Sequence, residues 1–542
     1  MSISSDERHV GIIGAGLAGL VAARHFLHAG WTVTLLESQA GVGGIWRSSY
    51  PFAKLQTPSS IYHFGEFPFS EPVDEFASKS QLENYFVAYS NHFGVTQRIR
   101  FNSRVLKIEK RPDAKKGWRL TVSNKRNVYT QDFDFVVSAQ GLYSGEPRRP
   151  QFRGQESFEG TILHSSDVKD LTILQKQTAV IVGACKTALE FLGKRFDDAS
   201  SQRSLLKTFW VFRRAIWIFP TKLFGKIPIR WLQIFSGNRF FSHSWSRWKS
   251  LVRSYYLLPE PPKTDKQLAE IARGHEKEVI ERKKPVDSRL FIRAFGYKPD
   301  DAFLPKFRLA SQCGTDLQTP GLFDLVRSGI IQARPNLTIE CFEGKNVRLT
   351  NQEVLENVDL VILATGFFQT MLLPEGVPTT LIENGGIYLY RNVIHPEIED
   401  FAFFGMTCCS NITSATSMAA HWLLAVLRGH IKLPSKEVQL QAIQTRRAEN
   451  KEKCGEQEYG AGNVVDFVYL DQICRDLEIS PLRKIAKWAK WGGIWNPFAW
   501  LSELFGSYGP ADYVFLDVES EVEKAIRKKV AKVIISSKSA EE

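Results

Sequence analysis

The sequence predicts an α/β fold with two Rossmann-like dinucleotide-binding domains, a helical insertion and a C-terminal extension. Three observations support this fold class. A strand, a glycine-rich turn, a helix and a second strand follow one another in residues 9–38, and a weaker copy of that pattern begins at Ala179. The chain has 542 residues, 43% hydrophobic and 24% charged, which is enough for about three domains of ordinary globular composition.

The first glycine motif has the spacing G-x-G-x-x-G. Gly14 permits a tight turn, Gly16 lets the backbone approach a pyrophosphate, and Gly19 lets the helix pack closely on the strand. The N-terminus of that helix offers unpaired N–H groups and a partial positive charge to phosphates. The pattern predicts a strand, a helix ended by a glycine and a second strand, at His9–Ile13, Leu17–Ala29 and Thr32–Leu36.

An acidic residue follows the second strand of this unit. Glu37 stands 23 residues after Gly14. A carboxylate at this point accepts hydrogen bonds from both ribose hydroxyls of an adenosine and repels a 2′-phosphate. The first unit is therefore predicted to bind FAD or NAD rather than NADP.

The second glycine motif is degraded. Gly183 retains the tight turn and Ala188 is the small third residue, but Cys185 replaces the second glycine. Lys186 and Thr187 open the predicted helix and are candidate phosphate contacts.

The next strand carries the opposite charge preference. It ends in Arg213 and Arg214, about where the first unit has Glu37. Guanidinium groups suit a 2′-phosphate, although a solvated basic strand end would look the same in the sequence. Two units with opposite preferences indicate electron transfer from NADPH to FAD.

Charge and cysteine content narrow the class of protein. The formal net charge is +12, and nine Lys or Arg without any Asp or Glu lie between Arg213 and Pro259. The seven cysteines show no C-x-x-C spacing, which argues against a zinc site, a disulfide framework and a redox pair, and no other metal site is predicted. No secretory signal or spanning segment is visible, so we expect a cytoplasmic protein.

Further motifs resemble those of the class B flavin-dependent monooxygenases, which include flavin-containing monooxygenases, N-hydroxylating enzymes and Baeyer–Villiger enzymes. The similarity covers roughly residues 7–430 in the family's order. The motifs are GGIWR (43–47), DFVVSAQGLYSGEPRRP (134–150), FEGTILHS (158–165) and DLVILATGF (359–367).

The resemblance implies further site residues. Near the flavin it implies catalytic roles for Gln56, Arg47 and His164, the last of which either orients the linker between the domains or is a loop histidine satisfied by the backbone. It also implies a helix that closes the flavin domain and points its N-terminus at the flavin, capped by Ser414 or Thr416. The other implied cofactor contacts are Gly44, Trp46, Ala139, Thr365 and Gly366.

Two positions depart from the family pattern. The family fingerprint ends in an aromatic residue where this chain has Val168. Gln56 stands where flavin-containing monooxygenases usually have Asn and Baeyer–Villiger enzymes usually have Asp. An amide donates hydrogen bonds as Asn does but supplies no carboxylate, which favours the first subfamily.

In this family NADPH reduces FAD, and reduced flavin reacts with O₂ to a C4a-(hydro)peroxide. The resemblance therefore implies a monooxygenase that inserts one oxygen atom into a small or medium organic substrate, with oxygenation of nitrogen or sulfur favoured. The alternatives are Baeyer–Villiger oxidation of a ketone and a flavin-binding NADPH oxidase without productive oxygenation.

The predicted domains follow from these units. Residues 1–160 and 335–435 form an FAD domain, 161–334 an NADPH domain, and 436–542 a C-terminal helical extension. Residues 216–300 form an insertion in which basic residues alternate with Trp and Phe. We expect it to be a lid over the active site or, second, a peripheral membrane contact, and no nucleic-acid partner is expected.

Overall fold

Two parallel five-stranded sheets form the framework of the protein, each accompanied by a three-stranded antiparallel sheet. The structure is a computed structural model that describes residues 8–112, 116–143, 145–197, 206–219, 222–223, 227–228, 315–317, 321–368, 371–377, 382–383, 386–407, 411–454, 466–479, 483–484, 498 and 510–513.

The helices, in chain order, are α1 (Leu17–His28), α2 (Ile45–Ser48), α3 (Lys79–His92), α4 (Lys186–Asp197), α5 (Leu322–Arg327), α6 (Ile412–Leu427), α7 (Lys436–Cys454) and α8 (Asp466–Asp476). The strands are β1 (His9–Ile13), β2 (Thr32–Leu36), β3 (Ile99–Arg100), β4 (Ser103–Lys110), β5 (Trp118–Asn124), β6 (Val128–Phe133), β7 (Phe135–Ser138), β8 (Thr161–His164), β9 (Thr178–Val182), β10 (Lys207–Phe212), β11 (Trp217–Phe219), β12 (Lys222–Leu223), β13 (Ile227–Pro228), β14 (Thr315–Leu317), β15 (Ile331–Pro335), β16 (Ile339–Glu343), β17 (Asn346–Leu349), β18 (Val354–Leu355), β19 (Leu360–Leu363), β20 (Ile382–Glu383), β21 (Gly386–Ile387) and β22 (Phe401–Phe403).

The two large sheets repeat one topology. Their strand orders are β22-β7-β1-β2-β3 and β15-β10-β9-β19-β8, so β1, β2, β3 and β7 correspond to β9, β10, β15 and β19. Backbone contacts repeat as well. Gly14 N donates to Leu36 O at 2.9 Å, and Gly183 N donates to Val211 O at the same distance. The predicted α/β class with two Rossmann-like units is confirmed.

Apolar residues of the central strands alternate between the two faces of each sheet. In β1, Val10 and Ile12 face a core shared with α1, α3 and α6, whereas Ile13 faces the antiparallel sheet β4-β5-β6. In β9, Ile181 faces α4 and Val180 faces the sheet β16-β17-β18. Both faces of each parallel sheet are therefore covered, which explains why these strands are continuous apolar runs.

The chain crosses between the two units along two neighbouring linkers. Arg148 N donates to Gly366 O at 2.9 Å, and Phe368 N donates to Glu146 O at 2.9 Å, so the linkers pair side by side. The strands β16–β19 lie before the second crossing and belong to the second unit. That unit therefore extends to about residue 364 in the structure, beyond the boundary at 334 expected from the sequence.

The insertion and the extension are described only in part. The strands β11 and β14 pair in parallel at the two sides of the insertion, and most of 216–300 lies outside the described residues. The aromatic cluster at 487–506 and the final helix expected after it also lie mostly outside them. Within the described ranges, none of the helices combines the length and apolar character needed to cross a membrane.

The described part of the extension is attached through a buried ion pair. Arg391 Nε lies 2.6 Å from Asp476 Oδ2 at the end of α8, and Trp422 Nε1 of α6 donates to the same oxygen at 2.9 Å. Tyr469 of α8 donates to the Arg391 carbonyl oxygen at 3.0 Å. These contacts fix α8 against α6 and the first unit.

Candidate active site

The first glycine loop is packed so tightly that two of its glycines cannot be replaced without movement. Gly14 has φ +102°, and an added Cβ would lie 2.6 Å from Ala139 O. A Cβ on Gly19 would lie 1.8 Å from Gly14 O. Gly16 is different, since its Cβ would be 3.5 Å from Gly44 Cα, an ordinary contact. Gly16 therefore leaves space for a ligand rather than for the protein's own packing.

Glu37 lies directly against this loop. The residue is 4% exposed, and its carboxylate accepts hydrogen bonds from Ala15 N and Gln39 N, both at 2.7 Å. A carboxylate has about four acceptor positions, so two backbone bonds leave acceptor capacity for ribose hydroxyls. The geometry thus holds the predicted ribose ligand at the edge of the glycine loop.

A second pair of glycines covers the first loop. Gly43 N donates to Ala15 O at 3.0 Å, and a Cβ on Gly44 would lie 3.0 Å from Gly16 Cα. Gly43 and Gly44 have φ of 117° and 57°, conformations that favour glycine. The loop at Gly16 is therefore lined by backbone on both sides, as close approach to a pyrophosphate requires.

Trp46 and Arg47 follow in α2. Trp46 Nε1 donates to the Tyr62 hydroxyl at 3.1 Å, and burial raises the pKa of Tyr62 to about 12. The Arg47 guanidinium lies beside Gly41, where an added Cβ would be 2.6 Å from its Nη1. Tyr62 thus stays protonated at neutral pH, and Arg47 is an exposed cation at the rim of the first unit.

Gln56 lies in a segment that is anchored on both sides. Leu55 N donates to Ala77 O at 2.9 Å, and Ala77 N donates to Ser59 Oγ at 3.0 Å. The Gln56 side chain is half-buried, and within the described part of the chain no hydrogen bond engages its amide. Its backbone is therefore fixed while its amide remains available to a ligand.

The N-terminus of α6 differs from the expectation. The helix begins at Ile412 after Asn411, and Thr416 donates back to the Ile412 carbonyl oxygen at 2.8 Å. The predicted capping by Ser414 or Thr416 is therefore wrong, because both lie inside the helix. Asn411 Oδ1 and Ser414 Oγ are buried without a hydrogen-bond partner among the described residues, which is typical of a site that binds a polar ligand.

The second glycine loop repeats the first in outline. Gly183 has φ +131°, and an added Cβ would lie 2.4 Å from Ala364 O, as Gly14 would meet Ala139. Trp210 Nε1 donates to Gly183 O at 2.7 Å and supports the turn from below. Cys185, at the second glycine position, is exposed, and Thr187 is half-buried in the first turn of α4.

The arginines after β10 are displaced by one residue from the position of the acid in the first unit. The backbone register aligns Phe212 with Glu37, and Arg213 and Arg214 follow it. Phe212 is 3% exposed and packs on Trp210, whereas both arginines are exposed and form no ion pair with a described residue. Two unpaired guanidinium groups at a strand end suit an anionic ligand.

His164 connects the two linkers. It is fully buried, with Nδ1 2.8 Å from Ser166 Oγ and Nε2 3.0 Å from Gly366 O. Burial lowers its pKa, so the neutral ring donates from Nε2 to the carbonyl oxygen and accepts at Nδ1. Thr365 donates to Arg148 O across the same junction. Both ring nitrogens of His164 are used inside the protein, which is the geometry of an orienting residue.

Sequence reasoning missed two side chains at the junction of the units, Tyr50 and Glu190. The Tyr50 hydroxyl donates to Glu190, and Lys186 lies 2.8 Å from the same carboxylate. The spacing of Lys186 and Glu190, four residues apart on one helix, was the available signal for their pairing. Val168, where the family has an aromatic residue, is 1% exposed and lies in the core around α4.

Comparisons with known proteins agree with this geometry. A family model described as flavin-binding monooxygenase-like matches residues 7–221 and 307–485. “Probable flavin-containing monooxygenase 1” of Arabidopsis thaliana is 26% identical over 548 residues, covering 94% of this chain and 97% of the relative. “Dimethylaniline monooxygenase (N-oxide-forming) 2” of Oryctolagus cuniculus is 24% identical over 508 residues, covering 88% of this chain and 83% of the relative.

A solved structure shares the fold. “Oxidized steroid monooxygenase bound to NADP” aligns with a TM-score of 0.61 at 17% identity, covering 86% of this chain and 97% of that chain. The predicted class of enzyme and the predicted cofactors, FAD and NADPH, are those of the matched family. The resemblance inferred from the motifs is confirmed, and the chain belongs to the flavin-binding monooxygenase-like family.

Proposed function

We propose that the protein uses NADPH and O₂ to insert one oxygen atom into a nitrogen or sulfur atom of a small or medium organic molecule. The observation that carries the preference for nitrogen or sulfur is Gln56, a half-buried amide on a fixed backbone without an engaged side chain. Two relatives named as flavin-containing and N-oxide-forming monooxygenases support the same direction.

The residues of the first unit fit FAD. Gly14, Gly16 and Gly44 leave backbone exposed to a pyrophosphate, and Glu37 has acceptor capacity for the ribose. The buried oxygen atoms at the start of α6, which have no partner among the described residues, would face the polar edge of the flavin ring. In the second unit Gly183, Lys186, Thr187, Arg213 and Arg214 would hold NADPH.

FAD, when bound, supplies the redox chemistry by taking reducing equivalents from NADPH and activating O₂. The protein's own part is to bind, orient and exclude water. Gln56 would donate a hydrogen bond toward the reacting edge of the flavin. Trp46 and Tyr62 would close the site from the side of α2, and His164 would keep the linkers in register. Arg47, at the rim, would attract anionic groups of the cofactors.

Two other functions remain as outcomes of the test. Baeyer–Villiger oxidation of a ketone is supported by solved neighbours such as the steroid monooxygenase, which share the fold. An NADPH oxidase without productive oxygenation would follow if Val168 and Cys185, which depart from the family motifs, prevent coupling. Peripheral membrane contact through 216–300 would be tested separately by vesicle sedimentation.

The test is to purify the protein with FAD and supply NADPH, O₂ and panels of tertiary amines, thioethers and ketones. We expect product formation with amines or thioethers and little hydrogen peroxide. Lactones or esters from ketones alone would establish the Baeyer–Villiger reaction. NADPH consumption that yields only hydrogen peroxide with every panel would contradict the proposal.

A further inference from the structure

Three side chains join the two nucleotide units at the first turn of α4. The Tyr50 hydroxyl donates a hydrogen bond to Glu190 Oε2, and Lys186 Nζ lies 2.8 Å from Glu190 Oε1. Lys186 Nζ also donates to the Tyr50 hydroxyl at 3.4 Å. Tyr50 belongs to the first unit and is 140 residues from Glu190 in the chain, so this is a contact between units.

The tyrosine is held by packing as well as by hydrogen bonds. Tyr50 is 6% exposed, and its ring centroid lies 5.0 Å from that of Phe191 on α4. Phe52 packs edge-on against the same Phe191 ring at 4.9 Å. The first unit thus inserts an aromatic pair into the core around α4, and the Tyr50 hydroxyl is aimed at Glu190.

The segment of residues 43–56 that carries Tyr50 begins and ends at the predicted flavin site. At its start Gly43 N donates to Ala15 O of the first glycine loop, and at its end Leu55 N donates to Ala77 O beside Gln56. Between these points Trp46 packs against the cores of both units. The segment is therefore fixed to the first unit at both ends and to the second unit in its middle.

We propose that Glu190 is a positioning residue for the reduction of FAD by NADPH. Through Tyr50 it holds the segment 43–56 against α4, and so it fixes how the two cofactor sites face each other. The pairing with Lys186 places the carboxylate, because the two side chains are one helical turn apart. The inference rests on the proposed function in one respect, that α4 borders the NADPH site.

Hydride transfer requires the nicotinamide and the flavin ring to be in contact and aligned, so a small rotation of one unit lowers its rate steeply. The linkers at Gly366 and Arg148 lie together and allow such rotation about a single junction. The Tyr50–Glu190 hydrogen bond lies away from that junction in the sequence and uses a different pair of elements. Its loss would broaden the range of orientations rather than unfold either unit.

The experiment measures anaerobic reduction of the FAD-loaded protein by stopped-flow absorbance, with NADPH and with dithionite. Tyr50→Phe keeps the aromatic packing and removes the hydroxyl, and Glu190→Leu removes the acceptor. Glu190→Gln retains an acceptor for Tyr50 and serves as the conservative rescue. Tyr129→Phe removes a hydroxyl from β6, whose partner is Arg100, and is the matched control outside the junction.

We expect Tyr50→Phe and Glu190→Leu to lower the limiting rate of reduction by NADPH about tenfold, as loss of a hydrogen bond to a charged group implies. Glu190→Gln and Tyr129→Phe should remain within about twofold of wild type, and dithionite should reduce all variants equally. Tyr50→Phe at the wild-type rate would overturn the inference, and so would an equal loss with dithionite. Failure of NADPH to reduce the wild-type protein would instead contradict the proposed function.

Discussion

Replacement of Gly16 and of Gly19 by Ala separates the binding role of the glycine loop from its packing role. At Gly16 the added methyl group would lie 3.5 Å from Gly44 Cα, and φ of −78° is allowed for alanine. We therefore expect the free energy of unfolding to fall by only about 1 kcal/mol or less. The methyl group would, however, occupy the space that the pyrophosphate of FAD needs.

The loss of FAD affinity follows from the hydrogen bonds that the pyrophosphate can no longer make. One bond from a backbone N–H to a charged phosphate is worth about 1.5–3 kcal/mol, so Gly16→Ala should weaken FAD binding roughly 10- to 100-fold. The measurement is titration of the apoprotein with FAD, followed by quenching of flavin fluorescence, together with urea unfolding of the apoprotein.

Gly19→Ala is the contrasting variant. Its methyl group would lie 1.8 Å from Gly14 O, where ordinary contact begins at 3.4 Å, so α1 must move by about 1.6 Å from β1. Forced overpacking of this kind costs about 1–3 kcal/mol of stability. The reasoning would be refuted if Gly16→Ala bound FAD as tightly as wild type, or if Gly19→Ala were as stable as Gly16→Ala.

Three further predictions concern other parts of the molecule. Asp476→Asn removes the charge partner of a buried guanidinium and should destabilise the protein by about 3–5 kcal/mol, which thermal unfolding will detect, whereas an unchanged Tm would show that the pair is not stabilising. Replacing Arg213 and Arg214 by Ser should lower the preference for NADPH over NADH roughly tenfold or more, measured as the ratio of kcat/KM values, and an unchanged ratio would exclude contact with the 2′-phosphate. Burial, followed by neighbouring cations, lowers the pKa of His421 to about 3 and that of His25 well below 6.5. The unfolded chain therefore takes up protons first, so stability is present above pH 6.5 and is lost as the pH falls below it, by up to about 1.4 kcal/mol per pH unit for each histidine. His421→Phe should flatten the dependence of Tm on pH between 7.5 and 5, and an equal slope in the variant would contradict this explanation.

The local parts of the fold could be read from the sequence because they depend on neighbouring residues. The positions of β1, α1 and β2 follow from an apolar run, a glycine turn and a terminal Glu37 within thirty residues. The degraded motif at Gly183 still predicted the second unit, since the residue that the turn requires is the one that was retained.

Other features depend on contacts that no local pattern records. The strand β19 is an apolar run that would suit either sheet, and only pairing with β8 and β9 assigns it to the second. The hydroxyl of Thr416 is a plausible cap by composition, yet the helix starts earlier at Ile412 and the hydroxyl bonds back to it. Tyr50 and Glu190 meet across 140 residues, and neither carries a motif of its own.

The pairing of the two linkers has a consequence for the history and engineering of the chain. The second unit is one continuous stretch, and its entry and exit lie next to each other where Arg148 meets Gly366. A segment with adjacent ends can be removed and replaced by a short turn without separating the strands on either side. The reductant-binding unit is thus built as an exchangeable cassette set into a host domain whose own sheet, from β7 to β22, closes without it.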